Sequence, residues 1–163
     1  MPITNTQDGK DFRVYVNTGT EAADGTGTFT EVDLATDVTV DESKDSEDST
    51  NRQSARSGWK AAKQGLKAFE VSFDMHLAAV AETPNAAVTH IVDAFYSGDT
   101  IEIVVSPGDI VLGTSIPARF AVVTVGGGSE SHPLTGVSTK AVALTNVGAV
   151  LRGTYTTNTP TLS

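Results

Sequence analysis

Apolar residues recur at every second position along several stretches of this chain, and at helical spacing along one. The cleanest alternation sets Phe69, Val71, Phe73, Met75 and Leu77 against Ala68, Glu70, Ser72, Asp74 and His76. It predicts a central strand with one face in a core. Phe12, Val14 and Val16 alternate with Arg13 and Tyr15, which reads as a half-buried strand over 11–16. From Phe29 through Val32 and Leu34 to Val40 the apolar positions are sparser, so one or two weak or edge strands are expected there. The β-branched runs at 100–105, 116–125 and 137–153 are bounded by Gly or Pro and read as further strands, with Gly148 marking a bulge or break in the last.

Residues 83–98 carry the helical period. Val88, Ile91, Val92 and Phe95 fall at i, i+3, i+4 and i+7, Thr83 can cap, Pro84 suits the first position, and Gly98 suits the stop. The spacing therefore predicts an amphipathic helix at about 84–97 lying on a sheet, with His90 on or near its polar side. The fold class that follows is mainly β, with antiparallel sheets and one flanking helix. Residues 1–153 are expected to form one domain, and the uncharged, Thr-rich stretch 154–163 a flexible tail or an arm that pairs outside the domain.

Residues 41–57, "DESKDSEDSTNRQSARS", hold no apolar residue except Ala55 and read as a long charged loop. Its charge is polarised. Residues 37–50 carry six acids (Asp37, Asp41, Glu42, Asp45, Glu47, Asp48) against Lys44, a net of −5, and residues 51–67 carry Arg52, Arg56, Lys60, Lys63 and Lys67 with no acid, a net of +5. A solvated loop would explain such a run. A sharper reading is a self-complementary surface, the negative part of one copy against the positive part of the next, which is a head-to-tail contact of the kind that builds rings or filaments.

Composition narrows the chemistry. The 163 residues are 39% apolar and 19% charged, with 15 Gly, and no cysteine is present, so disulfides and thiolate metal sites are excluded. The net charge of −9 opposes a phosphate-binding surface. No basic-then-apolar leader opens the sequence and no stretch nears the roughly 18–20 apolar residues of a membrane span, so a soluble protein made in the cytoplasm, without a membrane anchor, is expected.

No G-x-S-x-G elbow occurs, and His76, His90 and His132 lack the context of a nucleophile and base. "GTGTFT" (25–30) lacks the last Gly of a dinucleotide loop, "GGGSES" lacks the Lys of a P-loop, and "DESKDSED" lacks the offsets of a calcium loop. No catalytic residue, cofactor or metal is assigned, and a structural or binding protein rather than an enzyme is expected.

Across 38–75 a weak strand, an acidic loop, the lone Trp in "SGWK", a "GLKAF" turn and the alternating strand "EVSFDM" follow in an order that resembles the major tail tube proteins of long-tailed bacteriophages. The positions that carry the resemblance are Gly58, Trp59, Lys60, Gly65, Leu66 and Phe69. Phe69 departs from it, standing where Trp is common.

The resemblance implies a β-sandwich or barrel-like fold, copies that assemble into six-membered rings, and rings that stack into a tube through which the genome passes in the virion tail. It implies a loop that reaches a neighbouring subunit, in which Asp41, Glu42, Asp45, Glu47 and Asp48 meet Arg52, Arg56, Lys60 and Lys63 of another copy. Implied partners are the chain itself, tape-measure, tail-terminator and baseplate or tail-tip proteins, and DNA passing without specific binding. Two other readings stay open: a tube protein of a bacterial secretion needle, which would share fold and ring, and a monomeric β-sandwich module that binds a ligand such as carbohydrate.

Overall fold

The alternating run 69–77 is indeed a central strand, and it is longer than the alternation suggests. In the computed structural model, which describes residues 12–33, 35–48, 62–77, 82–110, 114–156 and 159–162, the elements in chain order are β1 (Arg13–Asn17), β2 (Phe29–Glu31), β3 (Thr36–Asp48), β4 (Ala62–His76), α1 (Ala86–Ser97), β5 (Thr100–Ser106), β6 (Ile116–Gly126), β7 (Glu130–Ser131), β8 (Thr139–Asn146), β9 (Leu151–Thr156) and β10 (Thr159–Leu162). All pairings are antiparallel, in the order β2-β1-β5-β6-β8-β4-β3, so β2 and β3 are the edges of a sheet that does not close.

β6 is the pivot. One side pairs with β5 over Arg119–Thr124; the other pairs first with β9 over Ile116–Phe120 and then with β8 over Val123–Gly126. The run 137–153 is thus broken at 147–150, where Gly148 lies, and the sheet forks there: β4 follows β8 while β10 follows β9. The break lets one strand's edge serve two layers.

Two cores result. The larger joins Val14, Val16, Ile101, Ile103, Val105, Ala121 and Val123 to Phe69, Val71, Phe73, Met75, Val142 and Leu144, with Ala87, Val88, Ile91 and Ala94 of α1 packed in. The smaller lies on the opposite face of β1, β5 and β6, where Tyr15, Phe29, Val104, Ile110, Ala118, Phe120 and Tyr155 meet, with Phe29 edge-on to both Phe120 and Tyr155. Tyr15, expected on the polar side of β1, is therefore buried: the strand carries a core on each face, because β9, β10 and the chain before β2 cover the side that a simple two-period reading gives to water.

This second layer is pinned by a buried carboxylate. Glu102 accepts hydrogen bonds from Asn17 Nδ2 at 2.7 Å and from the backbone N–H of Ala23, and Asn17 Oδ1 in turn accepts from the N–H groups of Gly19 and Thr28. Every polar atom named is thereby paired, which a buried charge requires. Tyr155 donates its hydroxyl to Gly25 O at 2.8 Å. Gly25 has φ +81°, and a Cβ there would stand 2.3 Å from Leu162 Cδ1, so only glycine fits both the turn and the packing.

The helix starts at Ala86 rather than at Pro84. Asn85 is the N-cap, its Oδ1 accepting from Ala87 and Val88 N–H, so the asparagine displaces Thr83 from the expected role; Gly98 ends the helix in the left-handed conformation. Phe95, expected on the core face, lies at the rim, 36% exposed.

Two other expectations change. Residues 41–48 are not loop: β3 runs to Asp48 and pairs with β4 from Ala62, and residues 49–61 lie outside the described ones. A two-stranded ribbon satisfies its backbone whatever its side chains, so the absence of apolar residues does not forbid a strand there. The stretch expected to be a tail or arm is partly strand as well, β10 pairing with β9 while Leu162 packs against the smaller core.

Candidate functional site

Past Phe69 the β3–β4 hairpin runs beyond the core, and its alternation continues in charge instead of hydrophobicity. Residues directly opposite on antiparallel strands share a face. Glu42 stands opposite the buried Phe69 and Lys44 opposite Lys67, so these belong to the inner face; Asp41 stands opposite Glu70, and Ser43 opposite Ala68, on the outer face. Between Lys44 and Ser46 the register slips so that Asp45 alone opposes Gly65 and Leu66, a bulge of the two-against-one kind. Leu66 is left 81% exposed beside it.

The bulge explains the glycine. A Cβ at position 65 would lie 2.9 Å from Asp45 Cβ and 3.1 Å from its carbonyl oxygen. The "GLKAF" segment, read from sequence as a turn, is thus the bulged part of β4.

On the inner face Glu42 does not wait for another subunit. Its carboxylate holds Arg119 Nε of β6 at 2.8 Å and also Arg152 Nη2 of β9, both within the same chain. Arg119 and Arg152 are themselves a directly opposed pair across β6 and β9. The edge strand is therefore clasped to the opposite layer by an ion cluster where no backbone pairing joins them. Beside the clasp a cleft of about 590 Å³ opens between the hairpin and the 147–150 break, with Phe69, Ala149 and Val150 among its apolar lining and Lys44, Lys67 and Arg152 among its charges.

A second cluster fixes the end of α1. Lys140 of β8 places Nζ 5.2 Å from the Phe95 ring centroid and 5.8 Å from that of Tyr96, and pairs with Glu130 at 2.9 Å. The Lys140 hydrogen bond and charge, with His132 beyond, hold the Glu130 carboxyl below its usual range. Its geometry joins helix, β7 and β8.

Of the residues expected to form a contact loop, Asp41, Glu42 and Asp45 lie on β3 as described. Glu47 opposes Lys63 in the backbone register of the same chain, and Asp48 opposes Ala62, their side chains lying outside the described ones. Arg52, Arg56, Lys60 and Trp59 lie outside the described residues altogether. The clasp partners Arg119 and Arg152 escaped the sequence reading, although each is a lone cation in an otherwise apolar run, which is the signal that could have found them. Among the described residues no group of His, Asp or Glu is placed to hold a metal, and no helix is long and apolar enough to cross a membrane.

Comparison with known proteins gives consistent results. The family model of phage tail tube proteins matches residues 6–133. No curated protein matches the chain. Among solved structures, the fold is similar to the tail of an empty gene transfer agent particle refined with C6 symmetry (TM-score 0.64, 15% identity, 89% of this chain and 97% of that one). It is similar also to a chain of the native gene transfer agent virion (0.62, 14%, 89% and 97%) and to the SPP1 tail tube (0.64, 16%, 93% and 82%).

Proposed function

The chain belongs to the phage tail tube protein family, and from that premise we propose that it is the structural subunit of a tail tube, its copies assembling into six-membered rings that stack around a lumen for DNA. The observation that carries this reading is the open sheet. Among the described residues β3 is a 13-residue edge strand with one side unpaired, and such an edge is a template for a second chain unless assembly covers it. The similar gene transfer agent tail has C6 symmetry, which supports six copies per ring.

On this reading the protein acts in the virion tail, as structure and not as an enzyme, and its domain takes in β9 and β10 beyond residue 153. Tape-measure, tail-terminator and baseplate or tail-tip proteins would contact the ends and interior of the tube. The net charge of −9 suits a lumen that repels DNA phosphates and lets the duplex slide without specific binding. The acids of residues 37–50 and the bases of residues 51–67 would steer one copy onto the next. Within that set Glu42 serves its own chain first.

Negative-stain electron microscopy of the concentrated protein at low and moderate salt tests the proposal. Rings or hollow tubes are expected. Small uniform particles at every concentration, with no higher species by ultracentrifugation, would overturn it in favour of a monomeric module.

A further inference from the structure

The chain is acidic as a whole and basic in one place. Of its 11 Lys and Arg residues, four gather around the cleft beside the Glu42 clasp. Lys44 stands directly opposite Lys67, and Arg119 directly opposite Arg152. Glu42 is the one carboxylate among the described residues that line the cleft, and the two arginines already share it. Asp41 and Glu70, the nearest other acids of these strands, lie on the outer face of the ribbon. Four cations against one carboxylate leave an excess of three positive charges at this spot, in a chain whose net charge is −9.

Lys44 and Lys67 are both exposed, and among the described residues neither forms a salt bridge. Like charges directly opposite in a sheet are unfavourable, so an oxyanion set between the two ammonium groups would relieve their repulsion and pair with each. The cleft they border has a volume of about 590 Å³ and an apolar floor that includes Ala149 and Val150. Its size and its mixture of apolar wall and a few convergent charges are those of a small-molecule site.

We propose that this cleft binds a small oligophosphate, an anion of two or three linked phosphate groups. One phosphate lies between Lys44 and Lys67, and the next reaches toward the Arg152 guanidinium, whose planar fork suits phosphate oxygens. Inorganic polyphosphate and a nucleoside polyphosphate share this chemistry, and the apolar floor would receive the nucleoside of the second. The net charge opposes a phosphate-binding surface over the molecule at large; strand register gathers the exception. The bound anion would also tie the hairpin to β9, which the shared carboxylate of Glu42 joins across the same gap.

Calorimetric titration of the full chain with sodium tripolyphosphate should show one site per chain, weaker as salt rises. Amide shifts in NMR should centre on Asn146, Gly148 and Ala149. Lys44→Gln/Lys67→Gln should weaken binding about tenfold or more. Without the anion this variant should melt no lower than the parent, because the opposed pair is gone. Added tripolyphosphate should raise the melting temperature of the parent and leave that of the variant in place.

Tighter binding of ATP than of tripolyphosphate would support the site and assign it to a nucleotide; equal binding would support it and assign it to the phosphate chain alone. No heat and no shifts with the folded parent, or undiminished binding by the double variant, would overturn the site. Equally tight binding of tetraglutamate would overturn phosphate as the ligand class, and binding of a short DNA duplex without binding of tripolyphosphate would overturn the small anion.

Discussion

Arg119 and Arg152 stand directly opposite each other on β6 and β9, and the carboxylate that reconciles them, Glu42, comes from the far edge of the sheet. The three groups are part-exposed, so their attraction is screened and modest. Removing Glu42 nevertheless takes away the carboxylate that the two opposed cations share and frees the hairpin's root. Glu42→Ala is expected to lower unfolding free energy by about 1 kcal/mol, less in 1 M salt, and Glu42→Ala/Arg152→Ala to cost less than the two single changes added. Urea unfolding of the four proteins in a double-mutant cycle checks this.

Glu102 should matter more than Glu42 because it is buried. Asn17 cannot turn its amide to suit a replacement, since Nδ2 also donates to Thr20 O while Oδ1 accepts from Gly19 and Thr28. Glu102→Gln would therefore set an amide donor against Asn17 Nδ2 or the Ala23 N–H. A loss of about 1–3 kcal/mol is expected, with faster hydrogen exchange at Ala23, Gly19 and Thr28 measured by NMR.

Alkaline stability should follow the buried tyrosines. Burial first, then the charges of Glu31 and Asp109, push the Tyr15 hydroxyl up to about 12; burial, then Glu102 and Asp24, push Tyr155 up further. A group whose pKa is higher folded than unfolded contributes its full stabilisation below the unfolded value, near 10, and loses it as pH rises through the folded value. Unfolding free energy is therefore expected to hold to about pH 10 and fall toward pH 12. Tyr15→Phe should flatten that fall in urea titrations at stepped pH.

Gly153 tests whether the C-terminal strand belongs to the fold. A Cβ there would lie 1.9 Å from Thr161 O, which is backbone and must move. Gly153→Ala is expected to detach β10, expose the smaller core beside Leu162 and cost about 1–3 kcal/mol. Limited proteolysis should then cut between β9 and β10 in the variant before it does in the parent. Equal cleavage rates would show that β10 contributes nothing to closing that core.

Whether an element shows in the sequence depends on the side chains it carries. Phe69 to Met75 announced their strand because a half-buried strand must alternate, and Gly98 announced the helix stop because few residues take a positive φ cheaply. Asp41 to Asp48 hid theirs, since an exposed ribbon leaves no apolar mark. Tyr15 differs for the opposite reason: it reads as an outward residue in an alternating strand, and it is covered by chain from elsewhere. The candidate contact surface was half visible. The polarised charge of 37–67 is in the sequence, whereas the division of those charges between two faces is a matter of register.

Local pattern and composition alone specify a mainly β chain with one helix, without thiol chemistry, with an acidic excess and a motif order that resembles the tube family. Those are properties of local period, turn residues and composition, which neighbours along the chain decide. Three features depend on distant parts of the chain meeting: β1 carries two cores, the sheet forks at the 147–150 break, and Glu42 meets arginines 77 and 110 positions away in number. Such contacts follow from strand order and register, and a shift of one residue in register moves every side chain to the other face.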